Sequence, residues 1–169
     1  AIFGGDGYSS EWHEMAVKER GLKNLPTTAD ALPELLTDSV KELFESTGVL
    51  SPVELESRYE VYAEQYILSI EVEAKLVVNM AKTLILPAAT HYLADLAMTN
   101  AGMSDMGIEL DNSIAQSIAT EINAMTSAIS ALSAAMEVHD FATTEDHMKH
   151  CANVIRGLMD QVRLHADTL

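Results

Sequence analysis

Apolar residues return every three or four positions along most of the chain, and three stretches hold that period long enough to predict long helices. The first opens in GVLSPVELESRYEVY, Gly48 to Tyr62. There Ser51 is a fit N-cap, Pro52 suits the first helical position, and Glu54 can complete a capping box. Tyr59, Tyr62, Tyr66, Ile70, Val77, Met80 and Leu84 then fall mostly at spacings of three, four and seven, one apolar stripe. No glycine follows Gly48 until Gly102. A helix of roughly 50 residues, on the order of 75 Å, is therefore predicted. Pro87 removes a backbone donor and crowds the preceding turn, which predicts a kink there. The segment AGMSDMG, Ala101 to Gly107, reads as the connector that ends it.

The second helix carries a heptad seam of Ile118, Ile122, Met125, Ile129, Leu132 and Met136. After the break VHDFATTED, Thr143 or Thr144 caps a third, with Met148, Cys151, Ile155, Leu158, Val162 and His165 on its seam. Shorter pieces precede Ser51. Ser9 or Ser10 caps EWHEMAVKERGL, which stops at Gly21; Thr28 caps a short helix holding Pro33; Thr37 or Asp38 opens TDSVKELFESTG, which stops at Gly48. The predicted fold is all-α: an elongated antiparallel bundle of three long helices, the first kinked near Pro87, with the short N-terminal helices packed at one end. Residues 1–50 form the lead-in and 51–169 the long-helix bundle, one compact domain overall.

Composition sharpens this picture. Hydrophobic residues make up 48% of the 169, which favours a real core, and only 5% are aromatic, which favours helix over sheet. The net charge of −16 argues against nucleic acid or an anionic membrane as partner. Asn112 to Met136 carries one charge, Glu121, yet its serines, threonines and asparagine make it too polar to span a bilayer. The chain begins at Ala1 with no charged region followed by an apolar one, so no signal peptide is read, and it looks like a piece of something longer. No Lys or Arg occurs between Lys82 and Lys149, while nine acids do. Within that span Ala124, Ser127, Ala128, Ala131 and Ala135 make a charge-poor, small-residue surface. It fits either a tightly packed interior or a contact with another subunit.

Chemistry is sparse. A di-iron carboxylate centre needs Glu-x-x-His pairs, and none of His13, His91, His139, His147, His150 and His165 has one. EDHMKHC puts His147 and His150 on one helix face beside Cys151, with His139 as the further ligand a metal would need. First-turn polar residues around a buried cysteine account for the same pattern. FGGDGY lacks the GK[ST] of a P-loop and reads as a turn, with Trp12 beside it as a packing anchor. No G-x-S-x-G elbow occurs, and a cysteine on a seam is dulled by burial. Glu54, Glu56, Glu60, Glu64, Glu71 and Glu73, with Arg58 and Lys75 among them, read as a solvated face. No catalytic, cofactor or metal residue is assigned.

One resemblance adds to this reading. Gly5 to Ser9, Glu11 and Trp12, Arg20 to Leu25 and Thr27 to Pro33 resemble, in order, the segment that follows the catalytic core in type III glutamine synthetases. Glu56 to Tyr59, Glu71 to Ala74 and Met80 to Pro87 extend the likeness, which covers about Phe3 to Ala97. It implies a parent that joins ammonia to glutamate with ATP and Mg or Mn, as a large cytoplasmic oligomer of two hexameric rings. The ATP, metal and glutamate residues of that family lie upstream of this segment, so no cofactor is expected in this chain and none of its residues is catalytic. The implied partners are its own catalytic core, of which residues 1–50 carry the tail, and neighbouring subunits. The rival reading is a stand-alone helical binding or scaffold module.

Overall fold

The computed structural model describes residues 4–169, and every regular element among them is helical. Contacts divide the chain into two compact units, Ala1–Tyr59 and Glu60–Leu169. One helix runs through the division.

In the first unit the Asp6 carboxylate accepts the Tyr8 N–H at 2.9 Å and the Asp6 carbonyl accepts the Ser9 hydroxyl at 2.7 Å, so GGDGY is a turn. Phe3, the first residue of FGGDGY, lies outside the described residues. Ser9 then caps α1 (Ser10–Lys18) by accepting the Trp12 N–H at 3.2 Å, and Gly21 follows in the left-handed region at φ 64°. The cap of α2 (Thr28–Ala31) is Thr27, one residue earlier than the sequence pattern pointed to; its hydroxyl accepts the Asp30 N–H at 3.1 Å. A 3-10 turn, Leu32–Leu36, holds Pro33, and α3 (Asp38–Ser46) follows. Gly48, at φ 66°, closes α3. Its N–H bonds the Glu45 carbonyl and the Val49 N–H reaches back to Phe44, both at 3.0 Å.

Helix α4 (Pro52–Met80) starts on the capping box read from the sequence. The Ser51 N–H donates to the Glu54 carboxylate at 2.8 Å, and the Ser51 hydroxyl accepts the Glu54 N–H at 3.4 Å. The Ser51 N–H, and after it the Ser51 hydroxyl donating to the same carboxylate at 2.7 Å, hold the Glu54 carboxyl below its usual range. The helix continues through a π turn, Ala81–Ile85, into α5 (Leu86–Asp105). At the turn the Leu86 N–H bonds Ala81, five residues back. The wide turn lies immediately before Pro87, whose ring would clash with the carbonyl four residues earlier in a regular helix. The run passes through Gly102, contrary to the expected connector, because one helical glycine costs only about 1 kcal/mol. It stops at Gly107, at φ 76°, with the Ile108 N–H bonded to Met103 at 3.0 Å.

Helix α6 (Ser113–Met136) comes next, then α7 (Thr144–His150), a second π turn (Cys151–Ile155) and α8 (Arg156–Thr168). Helix α5 packs on α6, α6 packs on α8 and on the second π turn, and α8 touches the first π turn. The Asn100 side-chain amide donates to Asn112 and ties α5 to the start of α6.

The seams of the second and third helices match the core. Met125, Ile129 and Leu132 are buried on α6, and Met148, Cys151, Ile155 and Val162 on the last run. The stripe on the first long helix needs correction. Tyr59 and Ile70 are buried, but Tyr62, Met80 and Leu84 are exposed. Their places are taken by Leu55, Ala63, Ile67, Ala74 and Ala81. Close helix approach selects small side chains there, and an alanine carries little hydrophobic signal for a pattern reading.

Candidate functional site

The second unit contains one concentration of ionisable and polarisable side chains, built around the start of α7. The Thr143 hydroxyl accepts the Asp146 N–H at 3.1 Å and so sets the phase of the helix. That phase turns His147 and His150 to one face, and Phe141 lies against both. Its ring stacks on His147 with centroids 4.4 Å apart and 12° between planes, and tilts on His150 at 5.1 Å.

The two histidines then part company. His147 Nε2 lies 3.2 Å from a Glu71 carboxylate oxygen of α4. His150 Nε2 lies 3.0 Å from the Ala135 carbonyl, in the last turn of α6. A carbonyl only accepts, so His150 carries its proton on Nε2, aimed at the negative end of the α6 dipole. Cys151 points into the core at 1% exposure. Burial first, and the Glu71 carboxylate second, push its thiol up from 9.0 to about 11. It is a poor nucleophile at neutral pH.

Glu71, His147, His150 and Cys151 surround a void of about 10 Å³, smaller than a water molecule needs. On its outer side an open cleft of about 430 Å³ is lined by Glu64, Glu71, His139, Phe141, Thr144 and His147. His139 thus sits in the cleft and His150 does not, so the four side chains the sequence offered as metal ligands do not converge. Among the described residues no group of three or more His, Cys, Asp or Glu side chains is placed to hold a metal ion.

A second pair lies farther along the bundle. His165 Nδ1 sits 2.8 Å from a Glu121 carboxylate oxygen, joining α8 to α6. Both pairs are about three-quarters buried, and together with the His150 bond they fasten the last helical run to the two others. They are polar fasteners. Pattern reading missed both. Glu71 does not belong to the solvated face, because it borders the buried stripe of Ile67, Ile70 and Ala74. Glu121 is the single charge in α6, and that isolation was the available signal.

The small-residue set is divided by the fold. Ala128 is buried at 7%, Ala124 and Ala135 are half-buried, and Ser127 and Ala131 are exposed. Pro52–Asp105 includes exposed carboxylates, but no helix among the described residues is long and apolar enough to cross a membrane.

Comparison with known proteins places the chain, through its first 104 residues, in a family. Residues 1–104 match the profile of the glutamine synthetase C-terminal domain. The type-3 glutamine synthetase of Dictyostelium discoideum is 45% identical over 96 residues, 57% of this chain and 13% of that protein. A glutamine synthetase of Butyrivibrio fibrisolvens is 35% identical over 96 residues, 57% of this chain and 14% of its own length. One from Bacteroides fragilis is 27% identical over 176 aligned positions, 99% of this chain and 24% of that protein. The chain thus spans between 13% and 24% of the length of the curated relatives it matches.

Proposed function

Because the chain belongs to the glutamine synthetase C-terminal domain family, we propose that it is the C-terminal helical domain of a type III glutamine synthetase. The parent forms glutamine from glutamate, ammonia and ATP with a divalent metal, in the cytoplasm. This segment serves the assembly and performs no step of the reaction itself. The observation that carries the reading is the 45% identity to a type-3 enzyme over 96 residues, beside the family match over residues 1–104.

The domain's own part is mechanical. Its second unit is read as an antiparallel three-helix bundle, supported by the pairings of α5 with α6, α6 with α8, and α8 with the first π turn. The polar groups at the start of α7 face one another and fasten helices, so the site described above keeps the bundle in register. On α6, exposed Ser127 and Ala131 beside half-buried Ala124 and Ala135 offer a charge-free, low-relief surface to a neighbouring subunit or to the catalytic core. Interface centres are depleted in charge in the same way.

The test uses the full-length protein and this chain side by side. The full-length protein releases ADP when given glutamate, ammonia, ATP and Mg²⁺, and this chain alone does not. Ala131→Glu in the full-length protein lowers the assembled mass in light scattering at unchanged helicity. Ligase turnover by the 169 residues alone, or none by the full-length protein, would refute the reading.

A further inference from the structure

The cleft beside α7 has features that fastening helices does not use. Glu64 and Glu71 both line it. They stand seven residues apart on α4, which puts them on one face of the helix and about 10 Å apart along its axis. Between them the floor is apolar, formed by Ile67 and Leu68, the first 7% and the second 55% exposed. The Phe141 ring, held by its stack on His147, adds a second apolar surface.

Neither carboxylate is used up. Glu71 meets His147 through one oxygen. Its other oxygen makes no hydrogen bond among the described residues. It is not sealed from solvent either, because the one side-chain polar atom among them that is both shielded and without a partner is the Tyr66 hydroxyl. The neighbouring void of about 10 Å³ admits nothing, so the open space that Glu71 borders is the cleft of about 430 Å³. Glu64 is exposed and enters no hydrogen bond or ion pair among the described residues. His139 and His147 are the remaining titratable groups of the lining, which contains no lysine or arginine; Lys75, one turn past Glu71, stays outside it. Ionised carboxylates only accept hydrogen bonds. The cleft therefore presents two separated anionic acceptors joined by an apolar strip, and no fixed cation to hold an anion.

We propose that this cleft binds a linear aliphatic dication, an α,ω-diamine or polyamine, lying along α4 with one ammonium at Glu64 and the other at Glu71. This goes beyond the fastening role given to the site above and stands whatever reaction the parent performs. Charge, length and surface each select the class. Two ammonium groups answer two acceptors. A chain of roughly six to eight carbons sets its ends about as far apart as two positions separated by two helical turns. Its methylenes cover Ile67, Leu68 and the Phe141 ring. The volume falls within the range of small-molecule sites, about 300–1,000 Å³. Glu71, about three-quarters buried, sits in the lower dielectric and holds its ammonium more strongly. Glu64 stands in water, so its share is that of an exposed ion pair, up to about fivefold in affinity; it selects for length.

The experiment titrates the full-length protein by calorimetry in about 0.15 M salt, where charges more than about 8 Å apart are screened. Diaminooctane binds about fivefold more tightly than octylamine, which has one ammonium, and than diaminopropane, whose two cannot span both glutamates. Glu64→Gln brings diaminooctane down to the affinity of octylamine. Glu73→Gln, at an exposed position of α4 outside the cleft, leaves the preference in place. No binding, or equal affinity of the three amines, overturns the proposal. So does an equal loss in both variants, which would mean diffuse attraction to a chain of net charge −16. Lysine side chains of another protein carry the same chemistry, and a helical peptide with two lysines seven residues apart represents them. If that peptide binds more tightly than diaminooctane and loses its hold in Glu64→Gln, the cleft belongs to a protein partner and the free amine is overturned. Both variants replace exposed carboxylates, and unchanged circular dichroism verifies that they fold.

Discussion

Ala128 and Ala131 lie three residues apart on α6 and carry the same side chain, yet a glutamate at each has a different consequence. Ala128 is 7% exposed, beside buried Met125, Ile129 and Leu132. A carboxylate forced into such a site takes up a proton instead, which at neutral pH costs roughly 3–4 kcal/mol relative to the solvated carboxylate. Four added heavy atoms in a packed seam cost about 1–3 kcal/mol more. Whole domains are stable by only about 5–15 kcal/mol. Ala128→Glu therefore removes most of the stability of the second unit. Ala131 is exposed, and a surface substitution there stays within about 0.5 kcal/mol. Urea unfolding followed at 222 nm separates the two. With a slope of about 1–2 kcal/mol per molar for a unit of this size, Ala128→Glu loses its transition or shifts it by at least about 2 M, while Ala131→Glu stays within about 0.5 M of wild type. Equal midpoints for the two variants, in either direction, would refute the packing assigned to α6.

Other perturbations probe other parts of the chain. The Tyr66 hydroxyl is shielded from solvent with no hydrogen-bond partner among the described residues. Tyr66→Phe accordingly leaves stability unchanged or raises it by up to about 1 kcal/mol, and a loss larger than that in urea unfolding would contradict it. Cys151 in the folded chain reacts with a thiol reagent at pH 8 at least about tenfold more slowly than in the urea-unfolded chain, as its burial and raised pKa require. The same shift fixes a sign. Between the unfolded value near 9 and the folded value of about 11 the unfolded chain gives up the thiol proton first. Stability then falls across that window, and Cys151→Ala flattens the fall. The Glu54 carboxyl is shifted the other way, by the Ser51 N–H and hydroxyl. Its contribution is present above the unfolded carboxylate range and lost as pH falls through the folded value. Ser51→Ala thus speeds hydrogen exchange of residues 53–55 more at pH 7 than at pH 3, and an equal effect at both would count against the capping box.

Local chemistry is what the linear pattern conveyed well. The Ser51–Glu54 capping box, the Thr143 cap and the stops at Gly21 and Gly48 depend on neighbours within a few residues, so the sequence contains both partners. The seams of α6 and of the last helical run were readable for a related reason: Met125, Ile129, Leu132, Met148, Cys151, Ile155 and Val162 follow a single period with little competition from other apolar faces. On α4 the competition was real. Tyr62, Met80 and Leu84 are exposed while Ala63, Ala74 and Ala81 are buried, and side-chain size pointed to the wrong residues. Gly102 misled in a similar way, because a glycine is permitted in a helix, and only the positive φ of Gly107 ends one.

By itself, then, the sequence determined the helical class, the starts and most of the stops, two of the three apolar seams, and through its motifs the family. Tertiary structure alone decided which charges leave water. Glu71 meets His147 across 76 positions and Glu121 meets His165 across 44, and no local pattern holds both members of either pair. It also decided how much of α5 is covered, since that depends on where α8 lies in space. Periodicity records which face of a helix is apolar; what arrives to cover that face is a property of the packed molecule.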